Sequence, residues 1–285
     1  MKRLRHHTEG TAIVLSCFGS VVEQARYLSL QQRIASQYPN CEVKLALSSK
    51  MVVKKLAKQG ECYQNLPQVM ADLDMAGFQR ILVVSCYLFP TDEHLQLCNM
   101  VKGFRQFSLA SIEHTPAILH HTRHASNIMA ALDQRFSDGS DVNLFVHHGA
   151  PLLDNPGHQA IHYCDSLLAR LSERHFSCSL EGAWPFHLVA NSLQQNMLAC
   201  SPLDENARPT LRLIPLLLVS GNHFVNDLAQ IKERFDEVFD VSVAEPVYGD
   251  KFCLLDLPEL QAVIDQQIAE GLTRLQASAS EVTCG

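Results

Sequence analysis

Three stretches carry side chains able to do chemistry, and each follows an apolar run of strand character. The first is Leu144-Phe145-Val146-His147-His148-Gly149-Ala150-Pro151, which climbs out of an apolar strand onto two imidazoles and a glycine. The second is Leu180-Glu181-Gly182-Ala183-Trp184-Pro185, and the third is Val219-Ser220-Gly221-Asn222-His223-Phe224-Val225-Asn226-Asp227. Two imidazoles and a carboxylate suit a divalent transition metal and leave coordination positions open for exchange. We therefore expect His148, Glu181 and His223 to converge on one ion. His147 competes with His148, because on an alternating strand only one of the two can face a ligand. Alone, each residue also fits a bland role. His148 could be a polar turn residue, Glu181 a capping or salt-bridging carboxylate, and Ser220–His223 a polar turn. A carboxylate at the end of a buried strand is costly unless it is paired or metal-bound. The separations of 33 and 42 residues form no local motif, so the signal lies in the shared position at strand ends.

The elements that must hold these tips alternate between strand and helix. Strands are expected at Ala12–Cys17, Glu42–Ala46, Ile81–Cys86 and Ser108–Glu113. Helices are expected at Glu23–Gln37, Lys50–Lys58, Pro67–Ala76 with Gly77 as C-cap, Asp92–Phe104 and Arg123–Phe136. The polar stretch Asp138-Gly139-Ser140-Asp141 reads as a linker, and the pattern then restarts. Strands follow at Val142–Val146, Ser177–Glu181, Leu211–Val219 and Val241–Ala244. Their helices are Pro156–Glu173, Val189–Leu198, Asn226–Phe235 with Asn226 and Asp227 as caps, and a closing Pro258–Leu272. Residues 276–285 are small and polar and read as a disordered tail.

Strands separated by helical crossovers imply parallel sheets. The expected architecture is α/β, with two similar doubly wound domains of flavodoxin or Rossmann type and a cleft between them. The domains would span residues 1–138 and 139–285, the second carrying the metal site. The closing helix 258–272 could pack on either half. The first strand of each half ends alike, at Cys17-Phe18-Gly19-Ser20 and at His147-His148-Gly149-Ala150.

Composition narrows the class. The 285 residues are 47% hydrophobic with a net charge of −7, which argues against a nucleic-acid partner, since phosphate binding wants a basic surface. No run approaches the roughly 20 apolar residues of a membrane helix. The basic Met1–Gly10 lacks a signal-peptide apolar segment. The 10 cysteines form no Cys-x-x-Cys pair and read as thiols of a reducing, cytoplasmic compartment. His120, His121 and His124, and the pair His158 and His162, read as solvated helix faces.

The chain resembles the anaerobic cobalt chelatases of cobalamin synthesis, the sirohydrochlorin cobaltochelatases, within the class II tetrapyrrole chelatases. Five stretches carry the resemblance: Cys17–Ser20, Ala46–Leu56, His147-His148-Gly149, Leu180–Pro185 and Pro215–Asp227. It implies insertion of Co2+ into sirohydrochlorin, with His148, Glu181 and His223 on the metal and His148 or His223 as proton acceptor. Phe18, Gly19, Ser20, Ser49, Lys50, Tyr87 and Trp184 would meet the macrocycle. The lysines between 44 and 58 would offset the charge of a polycarboxylate substrate. Asn222 departs from the family's Asp, and Tyr87 from a frequent His. The alternatives are a chelatase for iron or another tetrapyrrole, with Fe2+, Ni2+ or Zn2+ in place of cobalt, and a non-catalytic tetrapyrrole or haem binder. A homo-oligomer is compatible with the sequence.

Overall fold

The computed structural model describes residues 7–137, 139, 141–201 and 208–283, with the side chains of 222, 223 and 278–283 outside that description. The chain divides into two compact units. One comprises Met1–Ile118 and Ala262–Gly285, the other Leu119–Gln261.

The first unit is built on four parallel strands: β1 (Glu9–Cys17), β2 (Cys41–Leu47), β3 (Phe78–Cys86) and β4 (Ser111–His114), in the order β2-β1-β3-β4. Ile13, Val14 and Leu15 on β1, like Leu82, Val83 and Val84 on β3, are fully buried. That is the continuous apolar run of a parallel strand covered on both faces. The crossovers are α1 (Gln24–Gln37), α2 (Lys50–Lys58), α3 (Leu66–Ala76) and α4 (Asp92–Phe104). Helix α2 starts where the Ser49 side chain accepts from the Val52 N–H. Helix α3 starts on a reciprocal Asn65–Gln68 capping box and stops at Gly77, whose φ of 85° is left-handed.

The second unit repeats the plan. Strands β5 (Val142–His147), β6 (His175–Ser179), β7 (Thr210–Pro215) and β8 (Asp240–Val243) are parallel in the order β6-β5-β7-β8. Its helices are α5 (Thr122–Phe136), α6 (Gly157–Leu171), α7 (Phe186–Cys200) and α8 (Asn222–Phe235). Phe145, Phe235 and Phe239 are fully buried within it.

The division falls at Leu119 rather than at residue 139, because α5 belongs with the second unit. Ser126 bonds Tyr163 of α6 at 2.7 Å, Asp133 meets His175 of β6 at 3.0 Å, and the Phe136 carbonyl accepts from Asn143 of β5. The chain then returns through α9 (Pro258–Thr283). Its residues from Ala262 onward belong to the first unit, where Arg33 of α1 grips both Asp265 oxygens at 2.8 Å. A Cβ on Gly271 would lie 2.6 Å from Leu82 of β3, so α9 packs closely on that sheet. Residues 276–283, expected as a disordered tail, continue α9.

Candidate functional site

In a doubly wound sheet, ligands bind beyond the carboxyl ends of the strands, where neighbouring connections leave in opposite directions. In the second unit that point lies between β5 and β7, with β6 on the other side of β5.

Alternation at the end of β5 separates the two imidazoles. His147 turns inward and is 1% exposed, with its Nε2 3.3 Å from Asp165 Oδ2 of α6. That approach is off the line a hydrogen bond needs, and neither group has a hydrogen-bond partner among the described residues. His148 points the other way and is exposed. Glu181 lies two residues beyond β6 and is also exposed. It is tied to β5 by backbone, since the Leu180 N–H donates to the His147 carbonyl at 3.1 Å and the Glu181 N–H to the His148 carbonyl at 2.8 Å. These two loop hydrogen bonds follow the last paired residues, His147 and Ser179, and bring the His148 backbone beside that of Glu181.

Two glycines make this approach possible. Gly149 has φ of 84°, and a Cβ there would lie 1.6 Å from the Glu181 carbonyl oxygen. Gly182 has φ of 87°, and its Cβ would lie 2.1 Å from the Ala150 carbonyl oxygen. Each loop fills the space that a side chain on the other would need.

The third tip departs from expectation. Strand β7 ends at Pro215, not Val219. Leu216 still donates to Val146, but the Leu217 and Leu218 carbonyls then accept from Leu254 and Leu255. Helix α8 begins at Asn222 with Gly221 as N-cap. Asn226 and Asp227 therefore lie inside the helix rather than capping it. His223 occupies the second helical position, and its side chain lies outside the described residues. No cluster of three or more metal-capable side chains occurs among the described residues; the expected triad has one member outside that set.

The first unit repeats the geometry with different chemistry. The Ser48 and Ser49 N–H groups donate to the Cys17 and Phe18 carbonyls at 2.8 and 3.2 Å, and Gly19 has φ of 92°. Phe18 and Ser49 thus stand where the second unit has His148 and Glu181. Phe18 is 46% exposed. Ser20 is buried, its N–H donating to Gln24 and its hydroxyl accepting from the Glu23 N–H. Tyr87 does not present itself to a ligand. Its ring belongs to the core, its hydroxyl is 3.3 Å from Ser16, and burial pushes its ionisation well above the ordinary range. Lys50, Lys54, Lys55 and Lys58, with Met51, line an open hollow of about 480 Å³ on α2. None of these lysines has an ion-pair partner among the described residues.

Sequence reasoning missed three features. Asp165 gives no signal, because its meeting with His147 joins distant residues. The glycine interlock was visible only as two glycines. Trp184, although singled out, gave no hint of its backbone: among the described residues it is the one non-glycine with positive φ, at 56°. A bulky residue there costs on the order of 1–3 kcal/mol. Two helical histidine readings also change. His158 and His124 are buried rather than solvated, and His158 Nε2 donates to the Leu152 carbonyl at 2.8 Å.

Residues 11–245 match the family described as Cobalt chelatase (CbiK). The sirohydrochlorin cobaltochelatase of Salmonella typhimurium is 23% identical over 224 residues, covering 76% of this chain and 80% of the relative. Two solved structures share the fold, each covering 92% of this chain and 95% of theirs. SirB from Bacillus subtilis with Fe3+ has a TM-score of 0.61 at 13% identity. The sirohydrochlorin chelatase SirB from Bacillus subtilis subspecies spizizenii in complex with cobalt has a TM-score of 0.52 at 12% identity.

Proposed function

This chain belongs to the cobalt chelatase (CbiK) family, and we propose that it inserts Co2+ into sirohydrochlorin, using His148, Glu181 and His223. The observation that supports this reading is the interlock of the β5 and β6 loops, which brings the backbones of two exposed residues, His148 and Glu181, into hydrogen-bond contact. His223, whose backbone lies in the first turn of α8, is the proposed third member.

The chemistry asks for few and exchangeable ligands, so that pyrrole nitrogens can take the ion over. Two neutral imidazoles and one carboxylate meet that need. Two N–H protons must leave the macrocycle, and imidazole titrates in the range where it can accept them. His148 and His223 are the metal ligands, one of them also the first proton acceptor. Glu181 is the third ligand or carries the proton to water. Phe18, Gly19, Ser49, Lys50 and Trp184 meet the macrocycle; Ser20, buried against Gln24 and Glu23, shapes the start of α1 instead, and Tyr87, turned into the core, supports β1 through Ser16. The unpaired lysines of α2 supply local positive charge for the substrate's carboxylates in a chain whose net charge is −7. Among the described residues no helix is long and apolar enough to cross a membrane, and nine cysteines form no disulfide. The proposed setting is a reducing cytoplasm, where thiols stay reduced.

The test is to mix the full chain with sirohydrochlorin and Co2+ and follow the tetrapyrrole absorbance, with Fe2+, Ni2+ and Zn2+ in parallel. A cobalt-dependent spectral shift, lost in His148→Ala while the fold is kept, supports the reading. Turnover with iron but not cobalt reassigns the metal. Absence of turnover with every metal refutes catalysis.

A further inference from the structure

We propose that Trp184 is a stacking ledge for the face of the macrocycle, held beside Glu181 by a backbone bend that the fold maintains against local preference. The inference rests on the tetrapyrrole reading above and adds to it the side chain that holds the ring system in place.

The bend is anchored to the sheet. Ser179, the fully buried last residue of β6, donates its N–H to the Trp184 carbonyl at 3.0 Å and its hydroxyl to the Ala183 carbonyl at 2.5 Å. A parallel bridge joins Ser179 to Pro185. Glycine or asparagine would sit in such a bend at ease, whereas a large ring does not. The local chain geometry therefore gives no reason for tryptophan.

Core packing gives none either. The Trp184 side chain is 53% exposed, so the strain does not serve to bury it. Its ring contact is His162 of α6, at 6.0 Å between centroids with the planes 88° apart. An edge-to-face contact covers at most one face of the indole, and so at least one face is free of stacking. Leu152, Leu153 and Leu188, on the same two loops and the first turn of α7, are 58%, 94% and 72% exposed. Trp184 is three residues past Glu181, a reach of at most about 10 Å along the chain. A flat ligand whose centre meets the ion at Glu181 extends over that distance. The occupant that fits is a wide, planar, apolar-faced ring system, which describes the macrocycle of a tetrapyrrole.

Trp184→Gly tests this in the full chain, because glycine accepts the bend and removes only the ring. Metal-free sirohydrochlorin is titrated and read by its own absorbance, Co2+ binding is measured separately, and folding is checked by thermal unfolding. The expected result is a Tm at or above that of the parent, unchanged Co2+ affinity, and tetrapyrrole affinity weakened about tenfold or more, with KM rising more than kcat falls. Trp184→Phe, which keeps a ring, should stay within about threefold. Wild-type tetrapyrrole affinity in Trp184→Gly overturns the ledge alone. Failure of the parent chain to bind any tetrapyrrole overturns the functional reading and the ledge with it. If Trp184→Gly does not fold, Trp184→Asn, also tolerant of positive φ, is judged by the same criteria.

Discussion

Gly182→Ala and Gly149→Ala should damage both stability and metal handling, because each forces apart the loops that hold His148 beside Glu181. At Gly182 the new Cβ would lie 2.1 Å from the Ala150 carbonyl oxygen and 2.8 Å from its carbonyl carbon and its nitrogen. At Gly149 it would lie 1.6 Å from the Glu181 carbonyl oxygen. The obstacles are backbone atoms, so no rotamer change relieves them, and the loops must separate by roughly 1 Å. Left-handed backbone for a residue with a Cβ adds about 1–2 kcal/mol, and weakening the 2.8 Å Glu181–His148 bond adds about 0.5–1.5 kcal/mol. Together these come to about 1.5–3.5 kcal/mol, measurable by urea unfolding. A displacement near 1 Å at a reacting centre can cost on the order of 100-fold in rate, so cobalt insertion should fall by that order. Gly19→Ala is the internal control. It has a similar φ of 92° but meets only the flexible ends of Leu47 and Val52 at 3.1 Å, so it should cost only the backbone part, about 1–2 kcal/mol. A Gly182→Ala chain with parental stability and insertion rate would refute the interlock as the device that builds the site.

Other perturbations separate neighbouring roles. His148→Ala should fold normally and lose insertion, whereas His147→Ala, which strands Asp165 beside β5, should cost about 2–4 kcal/mol in a denaturant titration. The double variant Lys54→Glu with Lys58→Glu should raise KM for sirohydrochlorin about tenfold, and the effect should shrink as salt rises; an unchanged KM would remove α2 from the substrate surface. His175 gives a pH signature. Burial lowers its pKa from the ordinary 6.5, with Asp133 pulling the other way. Below 6.5 the unfolded chain therefore binds the proton more readily than the folded one. The stability contribution is complete above 6.5 and is lost as pH falls towards the lower folded value. His175→Gln should flatten that part of the stability–pH curve, and an unaltered slope would show that another group titrates there.

The fold was legible where local preference and tertiary packing agree. Helix Lys50–Lys58 was expected to the residue and the next at about Asp92–Phe104, and Gly77 ends α3 as the C-cap expected of it, in left-handed conformation. Alternating strands and helices implied two parallel sheets, and the structure contains two. Agreement ended where distant segments compete. Helix α5 follows the first four strands in sequence, yet its polar contacts to α6, β5 and β6 place it in the second unit. Strand β7 was read four residues too long, because Leu216–Val219 is as apolar as the strand before it. Only pairing with Leu254 and Leu255 takes that backbone out of the sheet.

The sequence by itself determined the order and type of the elements, and which chemical groups stand at the strand ends. Those properties are local, written in periodicity, capping residues and glycines. It also implied that one of two adjacent imidazoles must face inward, since strand side chains alternate. Tertiary structure decided which one, by offering His147 the half-buried Asp165 and leaving His148 outside. It decided as well that Glu181 would be its neighbour, because a backbone fit between two loops 33 residues apart has no counterpart in the spacing of either.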